Sequence, residues 1–388
     1  MPSPELQILL CCVKVNTPEK RKIQLLELIP QIGDWETVVN LANHHGLIPL
    51  THLRLKETVW EQIPKKTREA LDVGRRMNAS HALSLTSELL RLMRLLQEHH
   101  IFALPYKGPA LAAQLYGDVS MRQYGDIDVV IAKENWPTVD SLLCQNEWQP
   151  EYTLPAAQEH LYLKTYKDHS YFSERQGHLL EIHWGFADPH LSFPFALQSL
   201  KSRLLTIQMS GFEVVVPAPE DLLMILCFHG AKHKWERLGW VADITQLLVL
   251  SPTMDWKLVD SMSKELRCER VISLSLNLAH RLCNAPLPEF VSQKIRQDSS
   301  AIALAEAIET RIFAEKKDEA TMNELILFHL KMRESWLDRI LYGFRLIFRT
   351  TPEDWAMLPI VLPSNLSLLY YPARVFRLFR KYLIRSAV

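Results

Sequence analysis

Asp126 and Asp128 stand two residues apart in the run Arg122-Gln123-Tyr124-Gly125-Asp126-Ile127-Asp128-Val129-Val130-Ile131. The apolar residues that follow predict a buried strand, and residues i and i+2 of a strand project from the same face. Two carboxylates placed side by side repel each other and lose hydration unless a cation lies between them. A divalent metal is the simplest such cation. Mg²⁺ is typically held by one or two carboxylates together with substrate phosphates, so the spacing points to phosphate chemistry. An Asp-x-Asp pair also arises by chance in loops, and the reading depends on what else the fold brings to it.

Two further segments supply partners. Ile101 to Pro105 predicts a strand that ends at Lys107-Gly108, where a turn opens a helix over 109–116. Backbone amides at a helix start, with a lysine beside them, suit the phosphates of a nucleotide. Leu179-Leu180-Glu181-Ile182-His183-Trp184 predicts another strand carrying one acid among apolar residues. If it pairs beside the Asp126 strand, Glu181 becomes a third carboxylate, with Glu174 on the preceding segment as the competing acid.

The surrounding residues leave alternatives open. Arg122 either holds a triphosphate or pairs with acids and keeps them in place. Tyr124 is a candidate to stack on a base, although a packed aromatic is commoner. His183 shares the strand face of Glu181 and reads first as a satisfied core histidine, second as a group that orients the acid or the acceptor. His229 and His233, four apart, share one helix face, but no glutamate occupies the His-Glu-x-x-His position of a zinc site. With Lys232, Lys234 and Arg237 they either pack internally or face substrate phosphates.

Taken in order, four motifs resemble those of the uncharacterised nucleotidyltransferase family of bacteria, within the polymerase-beta-like superfamily. They are Lys107-Gly108, Arg122 with Gly125-Asp126-Ile127-Asp128, Glu181-Ile182-His183-Trp184, and His229-Gly230-Ala231-Lys232-His233-Lys234-Trp235. The similarity runs from about Asn43-His44-His45-Gly46-Leu47 to Trp240-Val241-Ala242-Asp243-Ile244. The resemblance implies an α+β fold with a small mixed sheet and helices. It also implies transfer of a nucleoside monophosphate from a nucleoside triphosphate such as ATP, assisted by two Mg²⁺ or Mn²⁺ ions. By position it puts Asp126 and Asp128 on the metal-binding acid pair and Glu181 on the third acid. Lys107, Gly108, Arg122, His229, Lys232 and His233 fall at the nucleotide. The wider superfamily has Gly-Gly or Gly-Ser ahead of its acid pair; Lys107-Gly108 stands there in this chain, so the phosphate contact is drawn by analogy.

The elements that must position these groups follow from patterning. Residues 1–100 read as helices, 101–217 as an α/β core and 218–388 as a helical domain, the core flanked by helical regions on both sides. Thr17-Pro18-Glu19 has the cap, proline and acid of a helix start. Leu85, Leu89, Leu92 and Leu96 form a stripe that predicts core rather than a zipper. Gln176-Gly177 and Ser210-Gly211 predict hairpin turns. Lys316 to Glu319 forms a polar break, after which 322–348 resumes as helix. The tail, with Arg374, Arg377, Arg380, Lys381 and Arg385 among apolar residues, is a basic amphipathic helix. It reads as a solvated helix packed on the domain, with contact to a membrane or acidic partner as the less ordinary use.

Composition excludes some classes. Among 388 residues, 44 are basic and 44 acidic, so nothing marks a general nucleic-acid binder. No apolar run reaches the roughly 18 to 20 residues needed to span a bilayer, and Met1 to Glu5 lacks the basic start of a signal peptide. Cys11, Cys12, Cys144, Cys227, Cys268 and Cys283 contain no Cys-x-x-Cys spacing, which suits buried, reduced thiols in a cytoplasmic protein. The acceptor is left open among a small molecule, a peptide, a protein side chain and an RNA end. Two other readings compete: a non-catalytic nucleotide-binding or regulatory module of a biosynthetic or toxin–antitoxin system, and a metal-dependent phosphohydrolase. The last requires His229 and His233 within about 5 Å of the aspartates.

Overall fold

A computed structural model of the chain describes residues 2–188, 191, 193–314, 321–355, 362, 366 and 369–383. Caps written into the sequence open its first helices. Ser3 accepts from the Leu6 amide ahead of α1 (Pro4–Val13), Thr17 from Lys20 ahead of α2 (Pro18–Leu28), and Asp34 from Glu36 and Thr37 ahead of α3 (Trp35–His44). Then come α4 (Ile48–Thr58) and the long α5 (Lys65–Glu98). The middle of the chain carries α6 (Gly108–Tyr116), α7 (Trp136–Gln145), α8 (Ala156–Thr165) and the short α9 (Leu197–Leu200). Beyond them lie α10 (Pro219–Lys232), α11 (Leu238–Leu250), α12 (Trp256–Glu265), α13 (Glu269–Cys283), α14 (Glu289–Gln297) and α15 (Ser299–Phe313). The last are α16 (Met322–Met332), α17 (Trp336–Phe348), α18 (Pro352–Trp355) and α19 (Tyr370–Leu383).

The strands are β1 (Ala103–Pro105), β2 (Asp126–Ile131), β3 (Gln149–Pro150), β4 (Asp168–Ser173) and β5 (His178–His183), ordered β1-β2-β5-β4-β3 in one mixed sheet. β2 and β5 run parallel, and the other pairs are antiparallel. β6 (Leu205–Met209) and β7 (Phe212–Val216) form a separate hairpin. Its turn residues Ser210 and Gly211 both have positive φ, the conformation that matches strand twist in a tight hairpin. Fold class is thus α+β, a small mixed sheet with helical flanks.

Among the described residues, one large apolar core gathers α1 to α4, the lower part of α5 and α10 to α16. A second packs the Leu85, Leu89, Leu92 and Leu96 stripe of α5 on the sheet residues Ile127, Val129, Leu180 and Ile182. The stripe is core because only that face of α5 meets the sheet. Two expectations need correction. The stretch 322–348 is two helices, broken at Arg333, Glu334 and Ser335, where Ser335 caps α17. Cys144 is exposed near the end of α7, whereas the other five cysteines are buried. The segment 316–319 and Arg385 lie outside the described residues.

Gly108 shows how tightly the sheet and α6 meet. Its φ is +53°, and a Cβ there would stand 2.6 Å from the Asp126 carbonyl oxygen. Gly108→Ala therefore carries the left-handed penalty of roughly 1–2 kcal/mol plus a backbone overlap. We expect a lower melting temperature for this variant, together with a displaced Asp126.

His329 links helices of the large core. Its Nδ1 lies 3.1 Å from the Tyr342 hydroxyl and its Nε2 3.2 Å from the Lys232 carbonyl. Burial depresses its pKa to about 4. Between that value and the ordinary histidine range the unfolded chain binds the extra proton, so stability is full above about pH 6.5 and is lost as pH falls. The loss reaches about 3 kcal/mol by pH 4. Denaturant unfolding across that range should show it, and His329→Gln should flatten the slope.

Candidate active site

Parallel pairing of β2 with β5 sets Asp128 directly beside Glu181 and Val130 beside His183. Strand alternation then brings Asp126, Asp128, Glu181 and His183 to one face. Asp128 is 1% exposed and His183 is wholly buried. The imidazole joins the two acids: its Nε2 lies 3.1 Å from Asp128 Oδ1 and 3.1 Å from Glu181 Oε2. On the other side, Nδ1 lies 3.3 Å from Lys167 Nζ and 3.4 Å from Asp168 Oδ2. Lys167 also pairs with Asp168. In the tautomer where Lys167 donates to Nδ1, Nε2 carries the proton and donates to the carboxylates; as a metal ligand through Nε2, His183 would take the other tautomer, with Nδ1 donating to Asp168 Oδ2.

Lys107 ends the turn after β1 and donates from Nζ to Asp128 Oδ1 at 2.5 Å. Close approach at Gly108, described above, puts the start of α6 against β2. The loop ahead of β2 is held from three sides. Asn78 donates to the Ser120 and Arg122 carbonyls, Gln123 accepts from the Ile48 amide, and Arg122 meets Asp243.

Charges at this face are strongly biased. The neighbouring Asp128 charge, then burial, raises the Asp126 carboxyl to about 6. Burial also opposes ionisation of Asp128, but Lys107 and His183 overcome it and hold that carboxyl well below the usual range. Glu181 is likewise burdened by burial, and its bond to His183 brings it down to about 2. Burial alone would lower Lys107, yet the adjoining aspartates raise it, so its ammonium stays charged.

Ligand atoms of Asp128, Glu181 and His183 all lie within 4.8 Å of one another. Asp128 Oδ2 is buried with no hydrogen-bond partner. A buried carboxylate oxygen lacking a donor is costly, and a cation is the partner that this donor set fits. Two carboxylates and an imidazole suit Mg²⁺ or Mn²⁺, the nitrogen favouring the latter. Asp126 shares the face but stands outside that tight group, and His183 stands inside it. Sequence reading ranked His183 as core first; the signal for the other role was its placement two residues after Glu181.

Other singled-out residues are placed as follows. Arg122 donates from Nε to Asp243 Oδ2 at 2.9 Å, and the Tyr116 hydroxyl donates to Asp243 Oδ1 at 2.9 Å. Asp243 was missed as a partner, although it is the one acid in the apolar helix α11, the same kind of signal that Glu181 gives. His229 and His233 have ring centroids 5.0 Å apart, and both rest against Trp240. Burial, then the Lys107 charge, depresses His229; burial, then Lys232, lowers His233 to about 3, so both are neutral imidazoles. Neither belongs to the ligand cluster found among the described residues. Lys232 pairs with Asp188 at 3.3 Å. Tyr124 donates its hydroxyl to the Val119 carbonyl. Glu174 sits exposed in the β4–β5 turn, at the end of the hairpin remote from His183.

An α+β fold with acids paired across parallel strands has the form of a nucleotidyltransferase. The model of the uncharacterised nucleotidyltransferase family matches residues 32–284, well over half of the chain, and the chain belongs to that family. Among solved structures it is similar to an antigenic nucleotidyltransferase-like protein from Paracoccidioides brasiliensis. Identity is 17%, covering 55% of this chain and 92% of that one, with a TM-score of 0.33. A search of the curated proteins finds no match.

Proposed function

We propose that the protein is a Mg²⁺- or Mn²⁺-dependent nucleotidyltransferase that moves a nucleoside monophosphate from a nucleoside triphosphate to an acceptor hydroxyl. The observation that carries this reading is Asp128, placed against Glu181 and His183 with one buried oxygen left without a partner. Asp128, Glu181 and His183 would hold the cation with Asp126 alongside, and when bound it supplies Lewis-acid polarisation and a more acidic acceptor hydroxyl.

The chain's own groups do the rest. His183 keeps Asp128 and Glu181 turned to one face. Lys107 presents an ammonium to the β- or γ-phosphate, while the Gly108 amide at the α6 start donates to a phosphate oxygen. The acceptor hydroxyl attacks the α-phosphorus in line, its proton passing to the Asp126 carboxylate as pyrophosphate leaves, so the nucleoside monophosphate ends on the acceptor. Arg122 acts at one remove, holding the approach to β2 through Asp243.

The test is a screen of the four nucleoside triphosphates, labelled at the α-phosphate, with Mg²⁺ and Mn²⁺. Label should appear on a small molecule, peptide, protein or RNA only with metal present. A chain that binds no nucleoside triphosphate under any of these conditions is not a nucleotidyltransferase.

A further inference from the structure

Large exposed apolar side chains are scattered over most of the chain but gather on α17 and α19. At 100° per residue, Trp336, Leu337, Ile340, Leu341, Phe344 and Ile347 fall within an arc of about 140°. All six are exposed, Trp336 by 71% and Phe344 by 60%. On α19, Val375, Phe376 and Phe379 share an arc of about 100°, the two phenylalanines each 59% exposed. This is a continuous face, far from the scattered exposure of an ordinary surface.

The face is built into the fold. Arg374 donates to the Leu346 and Ile347 carbonyls at the end of α17, and both Arg374 and Arg377 pair with Asp354 of α18. Between the helices runs a groove of about 500 Å³ lined by Phe348, Tyr371, Pro372, Val375, Phe376 and Phe379.

Its charge singles out the partner. The sequences of α17 and α19 hold six basic residues and one acid; Asp354 pairs with Arg374 and Arg377, and the remaining four still outweigh the one acid of the two helices, whereas the whole chain is balanced. That acid, Asp338, is bonded to Ser335 and paired with Arg267. Exposed Arg339, Arg345 and Arg380 border the apolar arcs. A two-fold contact between copies would set this basic rim against itself, which like charges oppose. An anionic lipid surface offers the complement: phosphates at the rim and hydrocarbon for the aromatic and aliphatic arc. No helix among the described residues is long and apolar enough to cross a membrane, so the contact is interfacial.

We propose that α17 and α19 together dock the protein on the surface of an anionic lipid bilayer. The experiment is flotation of the full chain with vesicles of phosphatidylcholine alone and of phosphatidylcholine mixed with phosphatidylglycerol. Partition into the anionic vesicles should exceed that into the neutral ones at least about tenfold and fall as salt is raised. Trp336→Glu with Phe376→Glu should reduce it at least about tenfold with an unchanged melting temperature, since both side chains are exposed. Arg380→Gln should reduce it about fivefold. Equal partition into both vesicles, or a double variant that binds as well as the parent, overturns the proposal. So does a light-scattering mass of a dimer that the double variant turns into a monomer, which would assign the face to a second copy.

Discussion

Asp128→Asn is expected to remove nucleotidyl transfer by a factor of at least about 10³, equivalent to about 4 kcal/mol of transition-state stabilisation. Asparagine keeps the shape of the side chain, so β2 and β5 still pair. What goes is the charge at the centre of the site and the buried Oδ2 that a cation would take. Lys107 loses its nearest acid but keeps Asp126 and Glu181, both of which act on its charge. The fold should therefore survive, with a modest change in melting temperature. Two measurements check this: label transfer from an α-labelled nucleoside triphosphate, and Mn²⁺ binding by titration calorimetry. Wild type should bind the metal and the variant should bind it weakly or not at all. Equal transfer by the two proteins would remove Asp128 from the chemistry.

Asp243→Ala should produce the largest loss of stability, about 3–5 kcal/mol, because it strips a buried cation of its partner. The Arg122 side chain is 11% exposed and that of Asp243 3%. Burial by itself lowers Arg122, and the Asp243 charge more than restores it, so the neutral form offers no escape. The Tyr116 hydroxyl loses its acceptor in the same step. Thermal unfolding should shift down by on the order of 4–6 °C for a chain of 388 residues. Asp243→Asn, which keeps an acceptor oxygen, should cost less. Activity should fall with Asp243→Ala too, since Arg122 leads directly into β2. An unchanged melting temperature would mean that Arg122 is free to serve another partner, such as a triphosphate.

Much of the local architecture was legible in the chain. Thr17 and Asp34 cap helices, Gly177 and Gly211 turn hairpins, and the alternation after Asp126 makes a strand, each through physics that acts within a few residues. The leucine stripe of α5 was readable as core for the same reason, since a helix repeats its face every three to four residues. Asp126 and Asp128 on one strand face, and Glu181 as the acid to watch, came from such patterns. Sequence also carried the resemblance to the nucleotidyltransferase family that the family match bears out.

Partners of the buried charges were a different matter. Asp128 meets Glu181 only because β5 lies parallel beside β2 in one particular register, and a slip of one residue would have sent Glu181 to the opposite face. Arg122 and Asp243 are 121 positions apart, and Lys107 meets Asp128 across 21. Caps, turns and faces are properties of neighbours along the chain. Which acid neutralises which base, that His183 rather than Asp126 lies in the close cluster with Asp128 and Glu181, and that Cys144 faces outward were settled by packing, because a buried charge takes whatever counter-group the assembled helices and strands bring within reach.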